Sequence, residues 1–169
     1  MSLKLAAAIA VSTALCAAPA TAEDSPVGTY IIEQVTETVN GFSCEAIRDA
    51  GTEIDCESTR LIQIRADGTV AGRNRWAPTQ FITDSFGTWR QRPNGKVFSE
   101  GVLQLFDENG VEAGFLVGDS TYDFSAGYKT FTGTSTSRSY LDGQDITDEF
   151  ATPNGVLEAT FTGRRVLKR

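Results

Sequence analysis

The chain predicts an all-β protein: a single eight-stranded antiparallel up-and-down barrel with one disulfide-bonded loop. Three observations lead there. From Val27 onward the sequence repeats runs rich in Val, Ile, Thr, Phe and Tyr. Those runs are punctuated by Asp67-Gly68, Asn94-Gly95, Asn109-Gly110, Asp142-Gly143 and Asn154-Gly155, dipeptides that supply the positive φ angles of tight hairpins. No segment carries a sustained helical period. Long strands joined mostly by short turns would leave long unpaired edges in an open sheet, so closure is expected. A β-sandwich is the competing architecture, and it wants more crossover connections than the chain offers.

The first element is a leader. Lys4, the apolar run Leu5 to Ala18, Pro19 and the small triplet Ala20-Thr21-Ala22 have the three-part pattern of a secretory signal peptide, with cleavage expected after Ala22. The run is shorter than the ~20 residues a spanning helix needs, and Glu23-Asp24 follow it. No stable membrane insertion is expected after cleavage. Bulky Leu15 stands where a lipidation motif on Cys16 needs a small residue. The expected address is the periplasm or the medium, and residues 23–169 form one barrel domain.

The formal net charge is -7, and every acidic residue lies beyond Ala22 whereas Lys4 leaves with the signal. Nucleic acid and anionic lipid are therefore poor partners. The chain contains no histidine, which removes imidazole catalysis and histidine metal sites. No Walker loop, dinucleotide fingerprint or nucleophile elbow is present. No cofactor and no metal are implied.

Strands are predicted near 28–37, 59–66, 69–76, 80–91, 96–107, 111–123, 127–140 and 156–167. Between the first two, residues 44–50 allow one short turn of helix. Cys44 and Cys56 are the only cysteines past the leader and are expected to be bridged in an oxidising compartment. A loop of that size is worth ~3 kcal/mol in chain-entropy terms.

Alternation assigns faces. Val70, Gly72, Asn74 and Trp76 point inward, against Ala71, Arg73 and Arg75. Ile62 and Ile64 point inward, as do Val111, Ala113, Phe115 and Val117. Phe131, Gly133 and Ser135 face in opposite a threonine row, and Leu157, Ala159, Phe161, Gly163 and Arg165 face in on the last strand. On the two middle strands the faces look alike, with Phe81 and Trp89 assigned inward.

Gly28-Thr29-Tyr30 on the first strand and Arg165 on the last resemble the closed-end signature of lipocalin-like, or calycin, barrels. In that superfamily a Gly-x-Trp packs under an arginine. Here tyrosine replaces tryptophan, and a fuller copy, Gly87-Thr88-Trp89, stands on a middle strand. The order Gly87-Thr88-Trp89, Phe106-Asp107-Glu108-Asn109-Gly110 and Phe161-Thr162-Gly163 is also similar to small exported bacterial lipocalin-like proteins. The resemblance implies a fold and a ligand cavity, and carries no catalytic residue.

Tyr30, Gln34, Asn74, Ser135 and Arg165 are the expected inward polar groups, set among Trp76, Trp89, Phe115 and Phe161. A mostly apolar cavity with a few placed polar groups is how small-ligand sites are built. The expected function is binding of a small, partly apolar molecule. Trp76, Trp89, Phe115 and Phe161 would be walls, and Asn74, Arg165, Tyr30 and Gln34 polar contacts. The same residues also read as a filled core with Arg165 stacked on Tyr30, which would leave a protein-interaction module. A further alternative is a cofactor-free isomerase or cyclase using Glu100 with Tyr30 or Tyr128.

Among the other strand acids, Glu33, Glu112 and Glu158 are placed outside, and Asp84 is undecided. The loop with Asp142, Gln144, Asp145, Asp148 and Glu149 departs from EF-hand spacing and reads as an acidic turn. The loop with Glu45, Asp49, Glu53 and Asp55 reads as a barrel cap or partner contact. Arg73, Arg75, Arg90 and Arg92 suggest one basic patch on adjacent strands.

Overall fold

Positive-φ turns fold the chain into successive hairpins. In this computed structural model residues 25–52, 54–75, 82–107, 109–148 and 150–166 are described. The leader over 1–22 with Cys16, and Glu53, Trp76, Phe81, Glu108 and Glu149, lie outside the described residues, and Asn74 and Arg75 are described through their backbone alone.

The elements are β1 (Gly28–Val39), β2 (Phe42–Ser43), α1 (Cys44–Asp49), β3 (Glu57–Ile64), β4 (Thr69–Arg75), β5 (Ile82–Gln91), β6 (Val97–Phe106), β7 (Glu112–Phe124), β8 (Thr130–Leu141) and β9 (Gly155–Arg165). The long strands pair in the order β1-β3-β4-β5-β6-β7-β8-β9, all antiparallel, and β9 pairs back with β1. The sheet is thus a closed eight-stranded barrel, which rules out the sandwich. Strand β2 is a two-residue return on the end of β1. No helix among the described residues is long and apolar enough to cross a membrane.

Gly68, Gly95, Gly110 and Gly143 hold positive φ at the expected turns. Asn154-Gly155 does not make a tight turn; Gly155 opens β9 after an irregular stretch following Leu141. The β1–β2 turn is instead Asn40-Gly41, with φ of 52° and 80°, the signs a two-residue type I′ hairpin requires. Asn40 also exchanges hydrogen bonds with Val156, its N–H donating to the carbonyl at 2.7 Å and its Oδ1 accepting from the amide at 2.8 Å. Strand β8 starts later than expected because Ala126–Tyr128 form a 3-10 turn with Gly127 and Tyr128 at positive φ.

The barrel has two unlike halves. Its closed end is filled by Tyr30, Ile32, Ile62, Ile64, Val97, Tyr122, Phe131 and Phe161, with Val70, Trp89 and Phe124 packed against them. Phe131 sits edge-on to Tyr30 and Tyr122, ring centroids 5.3 and 5.2 Å away. Two glycines make room for this plug. Gly133 faces Phe161 across β8–β9 and Gly163 faces Phe131, and a β-carbon at either would run into the facing ring. The opposite end, the mouth, is flanked by α1 and its loop, the described residues of the β6–β7 connection and those between β8 and β9. Cys44 and Cys56 are bonded there, with both cysteines buried and their α-carbons 5.8 Å apart. Ser43 caps α1 by accepting from the Ala46 amide.

Candidate ligand cavity

Cross-strand register stacks the open half into belts. Just above the plug, Ser99, Ser120 and Ser135 are successive partners across β6, β7 and β8. The next belt is Gly101, Gly118 and Ser137, and the third begins with Leu103 and Leu116. Side chains this small do not meet across a barrel of eight strands, a size that accommodates either filling side chains or one small ligand. A cavity of about 110 Å³ results, reaching from the plug to the mouth. Tyr122, at the top of the plug, lines its lower end, where Ser99 Oγ and the Tyr122 hydroxyl lie 3.1 Å apart and buried.

Arg60 on β3 lines this cavity, and it is the one charged side chain among the described residues that do so. Its guanidinium carbon lies 5.4 Å from the centre of the Phe161 ring, one of the rings of the plug. Nε and Nη2 are buried and have no hydrogen-bond partner, as is Gln34 Oε1 on the neighbouring strand. Burial lowers the Arg60 pKa from its ordinary value, while the Tyr122 side chain acts in the opposite direction. Arginine starts so high that it stays charged.

Gln34 lines the cavity. Tyr30 and Arg165 do not; Tyr30 is part of the plug, and Arg165 stitches it to the closed end. Arg165 Nη2 donates to the Ser25 carbonyl at 2.6 Å, the Val27 carbonyl at 3.1 Å and the Tyr30 hydroxyl at 2.8 Å. Its guanidinium carbon lies 5.4 Å from the Tyr30 ring centroid, and Gly28 leaves the space for it, a β-carbon there coming within 3.1 Å of Arg165 Nε. The Tyr30 hydroxyl donates to the Pro26 carbonyl at 2.8 Å. Burial raises the Tyr30 pKa, opposed by the Arg165 hydrogen bond.

Trp89 and Phe161 belong to the plug and do not line the cavity; Trp89 Nε1 donates to the Arg65 carbonyl at 2.8 Å. Phe115 is not a wall. On β7 the inward residues are Leu116, Gly118, Ser120 and Tyr122, and Phe115 and Val117 take the outer face. A bulge explains part of the inversion: Phe106 pairs with Glu112 and Leu105 with Gly114, so Ala113 is unpaired and Gly114 adopts φ 137°. Trp76 lies outside the described residues and Asn74 offers only its backbone.

Of the three catalytic candidates, Glu100 is brought to neither tyrosine. Glu100 is on the exposed face, whereas Tyr30 is in the plug with its hydroxyl 3.3 Å from the Tyr128 carbonyl, and the Tyr128 hydroxyl lies 3.4 Å from Gln91 Nε2. Glu33, Glu112 and Glu158 are exposed, and Asp84 forms an exposed bridge to Arg73 at 3.2 Å. The arginines do not form one patch. Arg73 and Arg75 pair near the mouth end of β5, opposite Asp84 and Ile82, whereas Arg90 and Arg92 cover the Phe98 ring at the other end of that strand. In the β8–β9 loop Asp145 Oδ1 accepts from the Thr147 amide and hydroxyl, closing a local turn.

Sequence reasoning missed Arg60, although a signal was present: it stands two residues before Ile62 and four before Ile64, and so shares their inward face. Comparison of the chain with protein-family models, curated proteins and solved structures returned no match.

Proposed function

We propose that the chain is an exported, lipocalin-like barrel that holds a small, partly apolar molecule in the cavity above its aromatic plug. The observation that carries this reading is the division of the interior. One half is packed with rings and branched side chains, while the other is walled by serine and glycine around about 110 Å³ of space. A barrel needed only as a rigid body gains by filling both halves, since an unfilled cavity forfeits packing contacts. For comparison, an engineered cavity of ~150 Å³ holds benzene, so the space suits a compact molecule or the head of a longer one. Lipocalin-like character is supported by the Gly28, Tyr30 and Arg165 arrangement at the closed end. Export is supported by the leader pattern before Ala22 and by the Cys44–Cys56 bond.

No inward carboxylate stands near the cavity among the described residues, so binding is favoured over a cofactor-free rearrangement. Native mass spectrometry of the protein isolated from its own source, before and after denaturation, tests the proposal. Added mass lost on unfolding is expected. A bare-chain mass, together with no thermal shift across a library of small acids, alcohols and amides, would overturn it.

A further inference from the structure

Arg60 is an expensive residue to place where it is. Its Nε and Nη2 are buried without a hydrogen-bond partner, and no carboxylate lines the cavity with it among the described residues. Buried charges are ordinarily paired, and the planar guanidinium fork matches a carboxylate in two parallel hydrogen bonds. The surroundings narrow the class further. A single cation neutralises a single negative charge, whereas a phosphate dianion would keep a net charge in a poorly solvated barrel. The hydroxyls of Ser99 and Tyr122 line the same cavity, and Leu103, Leu116 and Leu157 line it toward the mouth. Charge is at the bottom and apolar wall is above it.

We propose that the ligand is a compact monocarboxylic acid that enters head first, its carboxylate on Arg60 beside the plug and its apolar body against the leucines. This rests on the reading that the cavity holds a ligand, and it names that ligand's chemistry. The cavity volume limits the enclosed body to about the size of a six-membered ring. The cation over the Phe161 ring is compatible with acid binding, because an in-plane fork leaves the guanidinium face free to stack while its edge donates.

Calorimetric titration of the oxidised chain with benzoate and with its neutral isostere benzamide, in wild type and Arg60→Met, separates the possibilities. A charge-assisted bond in a buried site predicts benzoate binding about tenfold or more tighter than benzamide in the wild type, and equal weak binding of the two in Arg60→Met. Equal binding in the wild type overturns the carboxylate anchor while leaving the cavity reading intact, water then sufficing for the guanidinium. Binding of neither compound counts against both. Should Arg60→Met fail to fold, the wild type alone decides: the Arg60 Nε–Hε resonance shifts with benzoate and stays put with benzamide, and an unmoved resonance under saturating benzoate overturns the proposal.

Discussion

A guanidinium inside a barrel with unpaired N–H groups lowers the stability of the empty protein, whatever it does for the occupied one. Replacing Arg60 by methionine keeps the length of the chain, removes the buried charge and lays a thioether against the Phe161 ring. Arg60→Met is therefore expected to unfold at higher denaturant concentration than the wild type, by about 1–3 kcal/mol, read from urea titrations without ligand. A lower midpoint would mean that the cation over Phe161 outweighs its desolvation. Tyr30 is the opposite kind of residue. Its hydroxyl donates to the Pro26 carbonyl and accepts from Arg165, so Tyr30→Phe removes the oxygen that links the two. A loss of about 1–3 kcal/mol in the same titration is expected. Both residues were readable as inward by phase, but only Tyr30 drew notice. It had a neighbouring glycine and an arginine to pair with, whereas Arg60 has neither, and an inward charge without a partner is what core-packing rules lead a reader to discard.

At the level of strands, the glycines opposite aromatics on β8 and β9 set how tightly the plug closes. Gly163→Ala drives a methyl group into the Phe131 ring, and overpacking of this kind costs about 1–3 kcal/mol. Thermal melts of Gly163→Ala and of Gly163→Ala with Phe131→Leu should show the loss and its partial recovery. The turns between strands carry their own pH dependence. Asp107 accepts from the amides of Val111 and Asn109, and Asp67 and Asp145 accept from Thr69 and Thr147, which holds all three carboxyls below the ordinary 3.8. A carboxyl with a depressed folded-state pKa contributes stability that is present above its unfolded value and lost as pH falls through the folded one. Melting temperature should thus drop below about pH 4, and Asp107→Asn, which keeps an acceptor without a charge, should flatten that drop. The strands themselves were legible because the Asx-Gly dipeptides mark their ends. Strand β7 was assigned to the wrong face for a physical reason. Alternation equates apolar with inward, and where the interior is a cavity the inner face is Gly118 and Ser120 while Phe115 and Val117 lie outside. The residues described between β6 and β8 thus look inverted only to a rule that assumes a filled barrel.

Across the whole molecule, the charge on the outside opposes the charge at the bottom of the cavity. The formal net charge of -7 repels an approaching acid, whereas Arg60 meets it only after it has left the solvent. Salt screens the first effect over ~8 Å at physiological strength and reaches the second much less. Association of benzoate should therefore accelerate by roughly twofold to tenfold between ~0.01 M and ~0.15 M salt, with little change in dissociation, as stopped-flow mixing would show; a slower association in salt would point to attraction at the exposed arginines instead. The closed barrel and its disulfide were legible from turn spacing and cysteine count, since both follow from local rules repeated along the chain. The hollow was not, because emptiness is a property of several strands at once and no single strand announces it. The stitching of Ser25 and Val27 by Arg165, and the hydrogen bond from the Val166 amide to the Thr29 carbonyl, have a practical corollary. Ser25 and Val166, the outermost described residues, both lie at the closed end, so a surface or bead tethered at either of them would leave the opposite end of the barrel facing outward.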